Sequence, residues 1–495
     1  MGVVANKVSD CINWLPWGNE AFSKAHADQK PILLAIGTAW CHWCAEMLQT
    51  TYCDRTVSQL IERRFIPIWV DAECRPDINE RYNLGGWPTT AFLTPAGHIL
   101  GGETYIGPER MAELLDQVAD AFVKLDQKFY VNSQDEILGM TSMSDRELDP
   151  DSELEAWFSS YLIKQFDSHH GGFGTKLKRV HAPALQFAFY KHAEGHEEFG
   201  AVAVQTLDAI GWGGLYDDID GGVFRYCAGR DWTSPSVEKL LTVNAEVLHV
   251  LLTGSLVMNE KRYRERASGL IQYITEVLAD RPGGGFFTSQ HADVRYYAAD
   301  ASGRRSIGSP PVDPVVYSDT TAQMVSAFVY AFRVFNESSL LEFAVTSLER
   351  VIVDTYQRGQ GIAHNVSEVN PVRGLLADQV FVSDALLDLY EATQREVYLD
   401  MAQELMRFAV RELSDVSGFG FIDRVIAKDD VGLLRKPLTP FAINCTAARV
   451  MVRLGRLTGA VEFRERAIMI LKLQEANVRS HGIEAAPYIL AMREV

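Results

Sequence analysis

From about residue 150 onward the chain is written almost entirely in helical stretches that arrive in pairs, which restricts its architecture more than any other feature. The stretches are Ser152–Gln165, Pro183–His192, Ala201–Trp212, Pro235–Met258, Arg262–Leu278, Thr320–Phe335, Leu340–Tyr356, Ala377–Thr393, Leu399–Leu413, Thr439–Leu457, Val461–Glu475 and a short C-terminal piece. About twelve helices in successive hairpins are the content of an all-α (α/α)6 barrel. Between the stretches, aromatic residues follow glycines: Gly171-Gly172-Phe173-Gly174, Gly221-Gly222-Val223-Phe224, Gly284-Gly285-Phe286-Phe287 and Gly418-Phe419-Gly420. Any one of these reads equally as a plain turn glycine, but the recurrence is that of a repeat. The aromatics are expected to fold back over the barrel mouth.

The first part of the chain follows another pattern. Pro31–Ile36 is a short apolar run suited to a strand buried on both faces. After Gly37, Thr38, Ala39 and Trp40 comes Cys41-His42-Trp43-Cys44, followed by the helix formers of Ala45–Gln49. Cys41 therefore falls at a helix N-terminus, where the dipole and free N–H groups favour a thiolate over a thiol of ordinary pKa about 8.5. Separated from it by two residues on the first turn, Cys44 is placed to resolve a mixed disulfide formed at Cys41. A second apolar strand, Phe65–Val70, ends at Asp71. A helical turn and Gly85-Gly86-Trp87-Pro88 lead into Thr89–Leu93, then a turn at Thr94–Gly97, an edge strand at Ile99–Gly102 and an amphipathic helix over Pro108–Leu125. The alternative for the cysteine pair is half a zinc site, completed by His42, Cys53 or Cys74. No second Cys-x-x-Cys occurs, and the pair follows a strand in a β-α-β pattern, the setting of redox chemistry. No metal is expected, and Cys53 and Cys74 read as ordinary cysteines.

A chain of 495 residues, 47% hydrophobic, divides into at least two domains. The pattern places an α/β domain at 1–130, a linker at 131–150 and the barrel at 151–495. With 47 Lys+Arg against 65 Asp+Glu and a net charge of −18, there is no dense basic stripe to follow a phosphate backbone. Nucleic acid and anionic membrane are not expected as partners. Met1–Asp10 lacks the apolar core of a signal peptide and no apolar run reaches the roughly 20 residues of a membrane span, so a soluble, cytoplasmic protein is expected. Seven scattered cysteines do not form a secreted disulfide framework.

The order of elements in the first domain resembles thioredoxin. The resemblance implies that Pro88 is cis and that its loop faces the dithiol, with Trp87 and Pro88 shaping a substrate groove beside Trp40, His42 and Trp43. His42 and Trp43 stand where thioredoxin itself has Gly-Pro, and a histidine there can stabilise the thiolate further, as in strongly oxidising relatives. Over nearly its whole length the chain resembles the spermatogenesis-associated thioredoxin-like family, whose bacterial members join such a domain to a six-hairpin glycosidase-like barrel. The resemblance rests on Asn13-Trp14-Leu15-Pro16-Trp17-Gly18, Cys41-His42-Trp43-Cys44, Arg75-Pro76-Asp77, Gly86-Trp87-Pro88 and Asp220-Gly221-Gly222-Val223-Phe224-Arg225-Tyr226. Glu238-Lys239-Leu240, Asn244-Ala245, Leu376-Ala377-Asp378-Gln379 and Leu386–Thr393 extend it.

The barrel also resembles N-acylglucosamine epimerases, which implies a carbohydrate-processing pocket. Acid/base work on a sugar calls for carboxylates or histidines near the mouth. The candidates are His181, Asp220, Glu238, Asn244, Gln290, His291, Asp293 and Asp378. Departures weaken this reading: Leu177–Val180 replaces Pro-Lys-Phe-Pro, Pro235–Ala245 lacks a histidine and an aspartate, and His291 stands where an aspartate is usual. Glu238 reads equally as a helix N-terminal charge and Asp378 as a cap or ion pair, while His249 and His364 read as lone structural histidines.

The leading expectation is a thiol-disulfide oxidoreductase with Cys41 and Cys44 as catalytic residues, no cofactor beyond that dithiol, and a protein or small-molecule thiol or disulfide as substrate. The alternatives are a sugar epimerase, isomerase or hydrolase in the barrel, with carbohydrate as partner, and a non-catalytic redox-sensing binding protein.

Overall fold

The computed structural model describes residues 11–124, 153–366 and 371–495. The expected linker 131–150 and the Met1–Asp10 segment lie outside them. The described residues fall into two compact units, one comprising 11–124 together with Arg424–Leu438, the other the remaining described residues from 153 to 423 with Thr439–Val495.

The first unit runs α1 (Asn19–Asp28), β1 (Ile32–Gly37), α2 (His42–Gln49), α3 (Arg55–Arg64), β2 (Ile66–Asp71), α4 (Pro76–Tyr82), β3 (Thr89–Leu93), β4 (Ile99–Glu103) and α5 (Pro108–Lys124). The sheet order is β2-β1-β3-β4, with β1 parallel to β2 and antiparallel to β3. All six residues of the apolar β1 are buried, as its position inside the sheet requires. Its side chains alternate between two cores. Ile32, Leu34 and Ile36 meet Ala21, Phe22 and Ala25 of α1, and Leu33 and Ala35 meet residues of α2, α3 and α5. This is the thioredoxin-like domain.

Two features of this unit correct the sequence reading. Cys53 is no ordinary cysteine: it forms a disulfide with Cys11, their Cα atoms 5.2 Å apart despite 42 residues of separation. That bond removes Cys53 as a zinc ligand. The range 151–495 does not all belong to the barrel either, because Arg424–Leu438 packs into the first unit as a strap. Val431 and Leu434 join the α1-side core, and Arg424 pairs with Asp77 at 3.3 Å and Asp430 at 2.7 Å. The Tyr82 hydroxyl accepts from Leu433 N–H at 2.8 Å and donates to Gly97 C=O at 2.9 Å. Tyr82→Phe strands both backbone groups, and a loss of about 1–3 kcal/mol is expected. Calorimetry should show a lowered transition for this unit; an unchanged one contradicts the strap's role.

The second unit opens with α6 (Glu153–Gln165), then the pairs α7 (Ala182–Ala193) with α8 (Glu197–Trp212) and α9 (Leu241–Val257) with α10 (Lys261–Tyr273). Two short helices, α11 (Val294–Ala298) and α12 (Ala301–Ile307), precede α13 (Ser318–Phe335) with α14 (Ser338–Thr355). The pairs α15 (Leu376–Thr393) with α16 (Glu396–Glu412) and α17 (Phe441–Thr458) with α18 (Val461–Gln474), then α19 (Ala486–Glu494), complete it. The helices α7, α9, α13, α15, α17 and α19 form a closed inner ring in which α19 returns to α7, and α6 partners α19 from outside. The result is an (α/α)6 barrel. No described helix is long and apolar enough to cross a membrane.

The helix expected from Pro235 starts only at Leu241. Pro235–Ser236 pairs with Tyr226–Cys227, and Lys239–Leu240 with Ser289–Gln290, because the Lys239 side chain is needed inside the unit. The glycine turns share one hydrogen-bond register. Asp167 N–H donates to Gly172 C=O and Gly171 N–H to Asp167 C=O, a pattern repeated at Asp217 and Asp280. At Gly222, φ is 79° and a Cβ would lie 2.6 Å from Tyr273, so only glycine fits. Of the aromatics expected to fold over the mouth, Phe286 does not. Phe286, fully buried, packs between Phe328 of α13 and Phe343 of α14.

Candidate functional site

Cys41 is the N-cap of α2, and its Sγ accepts from the Cys44 N–H at 3.4 Å. The same geometry that leaves N–H groups unused at a helix start thus directs one at the sulfur. A hydrogen bond to Cys41, burial, and the charge of a Cys41 thiolate push the Cys44 thiol far up, and Asp71 adds to the effect. Cys44 therefore keeps its proton. Neither sulfur is in a disulfide, and both are recessed, with Cys41 only 6% exposed. The Trp87–Pro88 bond is cis, and Cys41 Sγ lies 3.8 Å from Trp87 C=O. Trp87 is held by its indole N–H on Asn79 Oδ1 at 3.0 Å and meets Trp40 edge to face. Trp43, 55% exposed, stands beside His42 and Tyr105. Gly37 is required beneath the pair, since a Cβ there would meet Trp69 at 2.7 Å and Cys44 Sγ at 3.3 Å.

The barrel candidates do not all gather in one place, although Asp220, Gln290 and Asp293 are linked through the adjacent Tyr296 and Tyr297. His181 precedes α7 and pairs with Glu484 at 3.2 Å. Glu238 is not a helix N-terminal charge; it lies before α9, accepting from Arg225 at 2.9 Å and from Ser236. Asn244 fastens backbone, bonding Val223 N–H and Leu240 C=O. Gln290 accepts from Tyr273 and Tyr297, and Asp293 caps α11 through Tyr296 N–H. Burial lowers the His291 pKa, and its N–H donates to Pro311 C=O. Asp220 accepts from Arg304 at 2.6 Å and Tyr296 at 2.8 Å in a cleft of about 310 Å³. Asp378 pairs with His364, Nδ1 to Oδ1 at 2.9 Å, and burial lifts its carboxyl to about 6 against the pull of that histidine.

The sequence reading missed three groups. Asp167 is clasped by Lys178 at 3.0 Å and Arg230 at 2.7 Å, and Asp217 by Lys239 and Arg304, both at 2.7 Å. An aspartate four residues before each paired glycine was the available signal. The third group projects from the inner helices. Burial and Glu484 push Glu246 up to about 7, and burial, then Arg449, push His249 down to about 4. They sit one turn apart on α9, on one face. Arg453 of α17 pairs there with Asp384 and, at 2.8 Å, Asp388. His249, its ring against Tyr330, should stay neutral across physiological pH. Nitrogen-15 NMR titration of the ring should give a midpoint near 4, and one at or above 6.5 contradicts this environment.

Residues 3–145 match the family Thioredox_DsbH, described as a protein of unknown function, DUF255. Spermatogenesis-associated protein 20 of Rattus norvegicus is 29% identical over 307 residues, covering 57% of this chain and 39% of its own length. An uncharacterized protein of Caenorhabditis elegans is 29% identical over 305 residues, covering 57% and 41%. The chain thus spans about two fifths of the length of these curated relatives. Among solved structures, cellobiose 2-epimerase from Spirochaeta thermophila superposes with a TM-score of 0.56 at 14% identity, over 69% of this chain and 96% of its own. The α-mannanase of glycoside hydrolase family 76 from Bacteroides thetaiotaomicron gives 0.52 at 11%, over 70% and 98%. At such identities these likenesses establish the barrel fold alone.

Proposed function

We propose that the chain is a thiol-disulfide oxidoreductase in which Cys41 attacks, Cys44 resolves and the barrel binds the substrate. The observation that carries this reading is the division of labour between the two sulfurs: Cys41 takes the α2 N-terminus and a backbone N–H, while Cys44 is held protonated beside it. The Cys41 thiolate attacks one sulfur of a disulfide, forming a mixed disulfide and expelling the other sulfur as a thiolate, which takes a proton from solvent. Cys44 then gives up its proton and attacks Cys41 Sγ, releasing the second thiol and leaving Cys41 and Cys44 disulfide-bonded. A sulfur this recessed favours a small disulfide or an extended segment, with exposed Trp43 offering it an apolar edge.

Equilibrating the full chain with glutathione redox buffers and alkylating it tests the reading. One two-electron transition at Cys41 and Cys44 is expected, separate from the Cys11–Cys53 bond. A pair that stays dithiol under every oxidising buffer overturns it.

A second reading, sugar turnover in the barrel, is favoured by Glu246 and His249, a carboxyl poised near neutrality beside a neutral imidazole. Epimerisation or hydrolysis of cellobiose or acylated hexosamines, lost in Glu246→Gln and kept in Cys41→Ser, would support it. Silence across that panel counts against it.

A further inference from the structure

We propose that Asp319, His364 and Asp378 form a binding site for one divalent transition-metal cation in the barrel unit. The three come from separate segments: Asp319 from the first turn of α13, His364 from the loop before α15, and Asp378 from the first turn of α15. Each offers one ligand atom, and these atoms lie within 4.8 Å of one another; among the described residues no other trio of His, Cys, Asp or Glu does so.

The spacing suits a single ion. His364 Nδ1 is 2.9 Å from Asp378 Oδ1 and 4.0 Å from Asp319 Oδ1. With metal–ligand distances of about 2.1 Å, those spans subtend about 90° and about 145° at the metal, angles open to a five- or six-coordinate centre. The donor set, one imidazole and two carboxylates, fits zinc, manganese, iron or cobalt rather than a soft ion.

Two further observations point to a ligand. Asp378 is fully buried, yet its Oδ2 accepts no hydrogen bond. Among the described residues, no lysine or arginine pairs with Asp319 or Asp378, whereas the buried Asp77, Asp167, Asp217 and Asp430 are each clasped by a cation. One histidine facing two carboxylates leaves negative charge uncompensated in a buried site, which is costly, and a divalent ion would offset it for both acids at once. The frame is also fixed in advance. The Tyr317 ring stacks on His364 at 4.8 Å, and His364 is tied by its N–H to Val372 C=O and by its C=O to Ser318 N–H, both at 2.8 Å. Such support orients a ligating histidine. Asp319, 19% exposed against 5% and 0% for His364 and Asp378, marks the side from which an ion enters. Three protein ligands leave coordination positions for water or for an oxygen of a bound molecule.

The test is titration of the EDTA-dialysed full chain with manganese(II), free ion read by electron paramagnetic resonance, with zinc(II) as competitor. One ion per chain is expected. Affinity should fall more than about tenfold in Asp378→Asn and in Asp319→Asn, while Cys41→Ser/Cys44→Ser, which removes the thiol ligands, leaves it unchanged. The rim variant Asp319→Asn decides the matter if Asp378→Asn does not fold. Absence of stoichiometric binding, loss of the site with the cysteines, or equal affinity in Asp319→Asn overturns the proposal.

Discussion

Cys41→Ser abolishes disulfide reduction by the full chain, by at least about 10³-fold, whereas Cys44→Ala keeps the first attack and accumulates as a mixed disulfide with its substrate. The asymmetry follows from position. A serine hydroxyl at the α2 N-cap still accepts the backbone N–H that Cys41 accepts, so the helix is unharmed, but it does not ionise near neutral pH and cannot attack sulfur. Removing Cys44 leaves that nucleophile in place and takes away the sulfur that would release the substrate. Incubation with a small aromatic disulfide, followed by mass measurement of the intact chain, separates the outcomes. Cys44→Ala should carry one covalent adduct and Cys41→Ser none at this site. Adducts at equal rates in both variants would mean that Cys41 is not the attacking sulfur.

What the sequence disclosed was local, and what it hid was long-range. Pro31–Ile36 reads as a buried strand because every residue is apolar, and β1 occupies that register to within one residue. The helix after Cys44 follows from composition, and the paired helices of the barrel follow from periodicity, even where the surroundings override it before α9. Nothing local indicates that Cys11 meets Cys53, that Val431 completes a core begun by Phe22, or that Asp378 faces His364 rather than capping its own helix. Each joins segments whose proximity is decided by the packing of the whole unit. Lys178 and Lys239 illustrate the same limit, since a lysine is expected at a surface and both are completely buried. Their aspartate partners were legible at one remove, because Asp167 and Asp217 stand four residues before paired glycines whose backbone they organise.

Those clasped turns give the largest expected effect on stability. Asp217→Asn should destabilise the barrel unit by about 3–5 kcal/mol, read as a lowered calorimetric transition. The asparagine keeps the shape and takes away the charge that Lys239 and Arg304 share. Arg304 retains Asp220, but Lys239 is left with Gly221 C=O and the faces of Phe224, Tyr273 and Tyr297 at 4.6 to 5.2 Å. That environment is already strained in wild type. Burial brings Lys239 down to about 8 despite Asp217, whereas Asp217, although burial opposes it, stays below its ordinary range because it faces two cations. The folded state thus binds fewer protons at Lys239 than the unfolded state between pH about 8 and the ordinary lysine value of 10.5, so this residue's contribution to stability rises with pH across that window. Without the carboxylate the window opens at lower pH, and the difference between Asp217→Asn and Asp217→Asn/Lys239→Met isolates it from other titrating groups. The double variant, with no lysine charge left to bury, should recover much of the single variant's loss. If Asp217→Asn alone melts with wild type, the clasp contributes packing rather than charge, and the repeated aspartate serves only the backbone of its turn.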